Sequence, residues 1–359
     1  MARLLGQQDL CHANCVRTLE MVRQMRRATR RQLEAMTGFS WGGITNVVNR
    51  LINAGYLCEH KEENESRASG RTPGILEING EKHFVLGLDI NNTGLNGCVM
   101  NLRGEEICAY SAPADFSSAD ALLGGIYGIC EQAIAADREQ QIMAIGVSMQ
   151  GEVDGNQGVS VYLPQCPGWK DIPLRQILQD RFGKRVYLRH DPDCMLLAHM
   201  EEFGSDNTIL LRLDESVGMA AAVNGGIVRG SGLWEIAHTI VMPGGEECAC
   251  GAKGCLEAYV RRYAREAREN PDGPDCLAQP LAFAVYNMIR LFRPQSIVLC
   301  GDLLKYRPGF CERFEKALWE IEGRHMQQEL HILEGAKSAV QGAALVAIRH
   351  AIRHIEIHG

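Results

Sequence analysis

The chain has 359 residues, 46% of them hydrophobic and 23% charged, with few aromatics and a formal net charge of −7. That length exceeds one ordinary core and suits two or three domains, while the composition excludes a disordered chain and a membrane protein. The most apolar runs, Phe84 to Ile90 and Ser296 to Cys300, are strand-length, and the opening Met1-Ala-Arg-Leu-Leu-Gly lacks the apolar stretch of a signal peptide; a cytoplasmic location is expected. Residues 1–80 hold 11 Lys and Arg against 8 Asp and Glu, a surplus of three, which leaves −10 for residues 81–359. A basic head on an acidic body points the head toward nucleic acid.

In the head, Val16, Leu19, Val22 and Met25 form one stripe of a helix from Asn14 to about Arg26. A second helix is predicted from Thr29, with Gln32 three places on as a capping box and Gly38 as its stop. Ser40 caps a third helix whose apolar residues Ile44, Val47, Val48, Leu51 and Ile52 lie on one face, and Gly55 ends it. The remaining face carries Trp41, Thr45, Asn46 and Asn49 with Arg50 at its edge, groups suited to reading base edges. Tyr56 to Glu59, the polar run Lys61 to Arg71 and Ile75 to Ile78 then form a hairpin wing, with Arg67 and Arg71 placed for a groove or a phosphate. Arg30 and Arg31 belong to a basic cluster with Arg23, Arg26 and Arg27. The alternative is a three-helix interaction module with a merely solvated basic face; short helices, a tight turn, a polar third helix and a basic wing together favour DNA.

Past Lys82 strands alternate with helices, an α/β pattern. Strands are predicted at Phe84 to Ile90, Leu95 to Met100, Glu106 to Ser111, Met143 to Ser148 and Val186 to Arg189. Helices are predicted at Ala119 to Arg138, Leu174 to Arg181 and Met195 to Glu202. The theme restarts with strands at Thr208 to Leu213, Ala220 to Val223 and Gly226 to Arg229, which implies two similar lobes with a ligand cleft between them.

Fourteen cysteines in a cytoplasmic chain are expected to stay reduced. Eleven of them, Cys11, Cys15, Cys58, Cys98, Cys108, Cys130, Cys166, Cys194, Cys276, Cys300 and Cys311, show no metal spacing and read as small buried hydrophobes. The other three, Cys248, Cys250 and Cys255, follow His238 in the run His-x9-Cys-x-Cys-Gly-x2-Gly-Cys. One imidazole and three thiolates are the ligand set of a closed structural zinc site, and Gly251 and Gly254 let the backbone turn between the sulfurs. The bland alternative is unligated core cysteines.

Taken with Glu235-x2-His238, Glu257 just after the third cysteine, Pro167-Gly168-Trp169-Lys170, Asp191 after a strand and Gly70-Arg71-Thr72-Pro73 in the wing, this run resembles the ROK family of bacterial repressors and sugar kinases. The resemblance spans essentially the whole chain. It implies an actin-like (ribonuclease-H-like) α/β double lobe behind an N-terminal winged helix-turn-helix domain. The implied domains are 1–80 for the head, 81–198 for the first lobe with a C-terminal helix within 336–359 returning to it, and 199–335 for the second lobe with the zinc site. It further implies sugar-binding positions at His190, Asp191, Glu235, His238 and Glu257, with His190 departing from the family's usual asparagine. The expected partners are operator DNA and a monosaccharide or sugar-phosphate effector, with no membrane, in a homodimer or tetramer.

Kinases of the family use the Asp as general base and two glycine-rich loops for ATP phosphates. Asp191 is retained here as a vestigial base candidate. The first loop, however, reads Asp89-Ile90-Asn91-Asn92-Thr93, the second Asp214-Glu215-Ser216, and the late loop Cys300-Gly301-Asp302. Two carboxylates about 5 Å from a phosphate charge would each cost roughly 3 kcal/mol at an effective dielectric near 20. The expectation is therefore a sugar-responsive, non-enzymatic repressor of carbohydrate-utilisation genes; the alternative is an ATP-dependent ROK sugar kinase with an added head.

Overall fold

The structure is a computed structural model that describes residues 7–61, 74–136, 141–214, 216–228, 236–323, 328–333 and 339–357. It opens with helix α1 (Gln7–Met25), a short strand β1 (Ala28–Thr29), helices α2 (Arg30–Thr37) and α3 (Trp41–Asn53), and strands β2 (Leu57–Lys61) and β3 (Gly74–Ile78). The predicted caps all form. Thr29 Oγ1 accepts the Gln32 N–H while the Gln32 side chain returns to the Thr29 N–H, Ser40 Oγ accepts from Gly43, and Gly38 closes α2 at φ 73°. Three strands in the order β1-β3-β2 complete a winged helix-turn-helix, with Leu19, Val22, Leu33, Ile44, Val48, Leu51 and Leu76 buried beneath it. Helix α1 begins seven residues before the expected Asn14, since nothing in Gln7 to Ala13 breaks a helix. The wing tip, with Arg67, Arg71 and the Gly-Arg-Thr-Pro run, lies outside the described residues.

The body continues with strands β4 (Phe84–Asn91), β5 (Gly94–Asn101) and β6 (Glu106–Ala112), helix α4 (Ala119–Ala136) and strand β7 (Ile142–Met149). Short strands β8 (Glu152–Asp154), β9 (Val159–Tyr162) and β10 (Lys170–Ile172) lead to helix α5 (Leu174–Phe182), strand β11 (Arg185–His190) and helix α6 (Asp191–Phe203). Then come strands β12 (Thr208–Leu213), β13 (Val217–Val223) and β14 (Gly226–Ile227), a 3-10 turn at Ile236–His238, and helices α7 (Leu256–Glu269) and α8 (Ala278–Phe292). Strand β15 (Ser296–Cys300), helix α9 (Phe310–Glu322), strand β16 (Glu329–Leu333) and helix α10 (Ala339–Ile352) complete the described chain.

Two five-stranded sheets share one plan. Their orders are β6-β5-β4-β7-β11 and β14-β13-β12-β15-β16: an antiparallel three-strand meander, extended beyond its first strand by two later strands. The extension β12-β15-β16 is parallel, in the register Leu211 to Leu299 to Ile332. This repeated order gives the two similar lobes that the alternation of elements predicts and the actin-like fold that the resemblance implies.

The chain divides into two compact units, Met1–Val147 with Pro164–Leu188 and Ala343–Gly359, and Ser148–Leu163 with Arg189–Gly342. Within the first, the head is tied to the chain's far end. The Tyr56 hydroxyl accepts the N–H of Glu356 at 3.1 Å, His12 Nε2 lies 3.2 Å from the carbonyl of Ile355, and His83 stacks on Tyr56 with 4.1 Å between ring centroids. Within the second, helices α7, α8 and α9 pack Leu256, Val260, Tyr263, Leu281, Val285, Phe310 and Phe314 on the apolar side of β12 and β15. Each such side chain contributes about 1.5–3 kcal/mol by leaving water.

Three expectations need correction. Helix α6 starts at Asp191, not Met195, because Pro192 occupies its first turn, where a missing N–H costs no hydrogen bond. Strand β13 begins at Val217, ahead of Ala220, and β14 spans Gly226–Ile227, with Arg229 outside the described residues. Of the cysteines read as buried hydrophobes, Cys11, Cys58, Cys108, Cys276 and Cys311 are only half-buried, whereas Cys15, Cys98, Cys130, Cys166, Cys194 and Cys300 are buried. No helix among the described residues is long and apolar enough to cross a membrane.

Candidate functional site

The knuckle from His238 to Cys255 is built by backbone pairing. The N–H of Cys248 bonds the carbonyl of Ala252, that of Gly251 bonds Cys248, that of Gly254 bonds Glu246, and that of Val241 bonds Gly254. Gly251 and Gly254 have φ of 91° and 86°, values open to glycine, and a Cβ on Gly254 would meet the carbonyl of Met242. Cys255 caps α7, which places Glu257 in that helix's first turn. The four candidate ligand atoms lie within 4.8 Å of one another. Cys250 Sγ is 3.7 Å from Cys255 Sγ, and Cys248 Sγ is 3.5 Å from His238 Nδ1. A tetrahedral ion with bonds of about 2.3 Å to sulfur and 2.0–2.1 Å to nitrogen needs edges of roughly 3.8 and 3.6 Å. The residues therefore fit a four-coordinate metal. Burial and the neighbouring thiols also push Cys255 up to about 12, a crowding that a divalent cation would relieve. Since Nδ1 of His238 faces the sulfurs, its Nε2 is left for another partner.

The expected sugar ligands fall into two groups, both in the second unit. His238 and Glu257 flank the knuckle. Glu257 is 3% exposed; its Oε1 takes the Nε–H of Arg261 at 2.7 Å, while its buried Oε2 has no hydrogen-bond partner among the described residues. Such an acceptor is costly unless a ligand donor meets it. His190 and Asp191 sit where β11 runs into α6, with Nε2 of His190 3.3 Å from Oδ1 of Asp191. Burial first, and the Arg212 charge second, lower His190 to about 4, so its ring is neutral. Glu235 lies outside the described residues.

The residue that sequence reasoning missed is Arg212. Projecting from the otherwise apolar strand β12, it is ion-paired with Asp191, and its Nε lies 2.5 Å from Oδ2 of Asp214. The other oxygen of Asp214 accepts the N–H of Asp302 at 2.8 Å, which joins the second and late loops. The signal was one arginine in the buried run Thr-Ile-Leu-Leu-Arg-Leu, which a strand with a core on one side does not require. An ion-paired carboxylate is a poorer acceptor for a hydroxyl proton than a free one, and the Asp214 side chain is itself held between Arg212 and the Asp302 N–H. The first loop is likewise filled. Asn91 Oδ1 accepts the N–H of Thr93 at 2.8 Å and its hydroxyl at 2.5 Å, Asn91 Nδ2 donates to Asp89 at 2.6 Å, and Asn92 is held by Gln165 at 2.7 Å.

On α3, Trp41, Asn46 and Asn49 are exposed and Thr45 and Arg50 half-buried; Ser40, the cap, is exposed, and Arg31 on α2 is exposed. Arg30, one of the basic cluster expected to face DNA, has protein partners. It is ion-paired with Glu59 on β2 and gives Nη2–H to Asn49 at 3.0 Å, bracing α2 and α3 against the wing root. Arg27 is similarly bound to Glu77 at 2.7 Å, and Arg50 donates to Asn46 at 3.3 Å.

A winged helix-turn-helix on an actin-like double lobe with a His/Cys knuckle defines a sugar-kinase-type fold joined to a DNA-binding module. The chain belongs to the ROK family, whose profile matches residues 85–276. It is 28% identical to the uncharacterized protein YphH of Escherichia coli over 284 residues, 75% of this chain and 68% of that one. It is 23% identical to the xylose repressor of Bacillus subtilis over 78% of this chain and 79% of the other. A kinase is also a relative: the glucokinase of Thermotoga maritima is 30% identical, over 49% of this chain and 68% of its own length. Among solved structures, a ROK family transcriptional regulator described as a homologue of the E. coli MLC protein shares the fold over 96% of this chain and 97% of its own, with a TM-score of 0.78 and 21% identity. The ROK hexokinase of Thermus thermophilus covers 74% of this chain and 97% of its own, with a TM-score of 0.65 and 26% identity.

Proposed function

We propose that the protein is a sugar-responsive DNA-binding transcriptional regulator, a repressor of carbohydrate-utilisation genes that binds its effector without phosphorylating it. The observation that carries this reading is the ion pairing of Arg212 with both Asp191 and Asp214, combined with the helix-turn-helix of α2 and α3 in the head. Relatives named as repressors, and one named as a DNA-binding transcriptional dual regulator, support it. Asp191, His190, Glu235, His238 and Glu257 hold the hydroxyls of a monosaccharide or its phosphate, the carboxylates accepting and the neutral His190 serving as donor or acceptor. His238, Cys248, Cys250 and Cys255 hold one zinc ion, which when bound supplies charge neutralisation for the thiolates and rigidity for the knuckle. The histidine ring, fixed through Nδ1, then presents Nε2 to the sugar.

On DNA, α3 enters the major groove with Ser40, Trp41, Thr45, Asn46, Asn49 and Arg50, while Arg31 and the wing arginines Arg67 and Arg71 meet phosphates, with Arg30 bracing the face. A homodimer presents two such heads to a pseudo-palindromic operator. The sugar switches operator affinity by preferring one conformation by a few kcal/mol. Asp191 at the start of α6 and the glucokinase relative favour a second reading, a kinase with an added head. A coupled assay for ADP release with monosaccharides, magnesium and ATP separates the two: no turnover is expected, and sugar-dependent ADP formation would establish the kinase.

A further inference from the structure

Two arginines set how α3 presents its amides. Arg30, the first residue of α2, donates Nη2–H to Asn49 Oδ1 at 3.0 Å, and Arg50 donates Nε–H to Asn46 Oδ1 at 3.3 Å. A guanidinium carries donors alone, so each amide must turn its oxygen toward the arginine and its NH2 away from it. The two contacts differ in rigidity. Arg50 and Asn46 lie one turn apart on the same helix, at the longer distance. Arg30 comes from another element, is ion-paired through its Nη1 with Glu59 on β2, and keeps only 20% of its side chain exposed. Asn49 is exposed, and its Nδ2 meets no protein acceptor among the described residues.

We infer that Asn49 reads guanine in the major groove and that Arg30 is the residue that positions it to do so. The inference rests on the proposed placing of α3 in that groove. An asparagine with both ends available pairs with adenine, accepting from N6 while donating to N7. With its oxygen engaged by Arg30, Asn49 keeps the donor end alone. Guanine offers two acceptors, N7 and O6, to the two hydrogens of Nδ2. Adenine sets one acceptor beside a donor that would find no partner, cytosine offers a donor, and thymine a single acceptor next to its methyl group. A donor left unmet against a base edge is penalised, so the engaged oxygen becomes discrimination against adenine. Base choice at this position is thus decided partly by the Arg30 and Glu59 pair behind the helix.

The test takes a duplex selected from a random library by the full-length protein, rebuilds it with each base in turn at every half-site position, and compares binding isotherms at one salt concentration. Asn49→Ala, a change at an exposed position, locates the base read by Asn49 as the one whose preference it flattens. Guanine is expected there, favoured about tenfold over adenine, and 7-deazaguanine, which lacks the N7 acceptor, should lose much of that advantage. Arg30→Met should move the preference at that position toward adenine, because the released amide regains its acceptor. A merely structural brace would lower stability or weaken all duplexes alike. Any base other than guanine preferred by the parent at that position would overturn the inference and leave the DNA-reading head standing. So would a folded Arg30→Met with unchanged guanine preference, or an Asn49→Ala that flattens no position. Selection of no sequence at all would overturn the DNA reading and the inference with it.

Discussion

The guanidinium of Arg212 on β12 is ion-paired with the carboxylate of Asp191, in the first turn of α6, and with that of Asp214 at the end of its own strand. Asp191 is 3% exposed, so its charge depends on that partner. Arg212→Ala removes the cation paired with a buried carboxylate and should destabilise the protein by about 3–5 kcal/mol in urea denaturation. The double variant Asp191→Asn with Arg212→Met should recover much of that loss. If the single variant were within 0.5 kcal/mol of the parent, roughly the range of a surface substitution, the pair would not be a structural element.

His190 sets a pH dependence. Its folded value of about 4 lies below the ordinary 6.5, so between those limits the unfolded chain binds a proton that the folded chain refuses. Stability from this group is therefore complete above about pH 6.5, falls as the pH is lowered, and is lost by about pH 4, up to roughly 3 kcal/mol in all. Denaturant midpoints for the parent and His190→Asn across pH 4–7 check this. The variant should show the shallower acid slope, and identical slopes would contradict it.

Base reading and phosphate contact separate in the head. Asn46→Ala should cost about 1–3 kcal/mol on the preferred duplex and little on others, flattening sequence preference. Arg31→Ala should weaken all duplexes alike and reduce the slope of log affinity against log salt by about one. Arg30→Ala should instead lower thermal stability, because it removes the contacts to Glu59 and Asn49. Binding isotherms at several salt concentrations distinguish the three.

The knuckle should hold one zinc per chain by atomic absorption. Cys250→Ala should abolish that stoichiometry and lower both the melting temperature and sugar affinity, while Cys58→Ala, away from the cluster, should retain the metal. Loss of zinc with full sugar affinity would reduce the metal to a staple and detach His238 from the effector site.

Much of this was legible because local chemistry decided it. Thr29, Gln32, Gly38 and Ser40 cap helices through contacts three or four residues long, and the spacing of His238, Cys248, Cys250 and Cys255 is itself the geometry of a knuckle. Strand Thr208–Leu213 was marked by the apolar run Ile209 to Leu211. What escaped depends on distant partners. Arg212 gains its meaning from Asp191, 21 positions earlier, and Arg30 from Glu59, 29 positions later. The start of α6 was hidden because Pro192 is compatible with a helix only in its first turn, where it in fact lies.

The most direct test of the account is selection of duplexes by the full-length protein from a random library, followed by titration of the selected duplex against a panel of monosaccharides and their phosphates, with ADP release monitored in parallel. The account predicts a pseudo-palindromic site whose affinity changes at least tenfold with one sugar, and no ADP formed. Sugar-dependent ADP release without any selected sequence would contradict it.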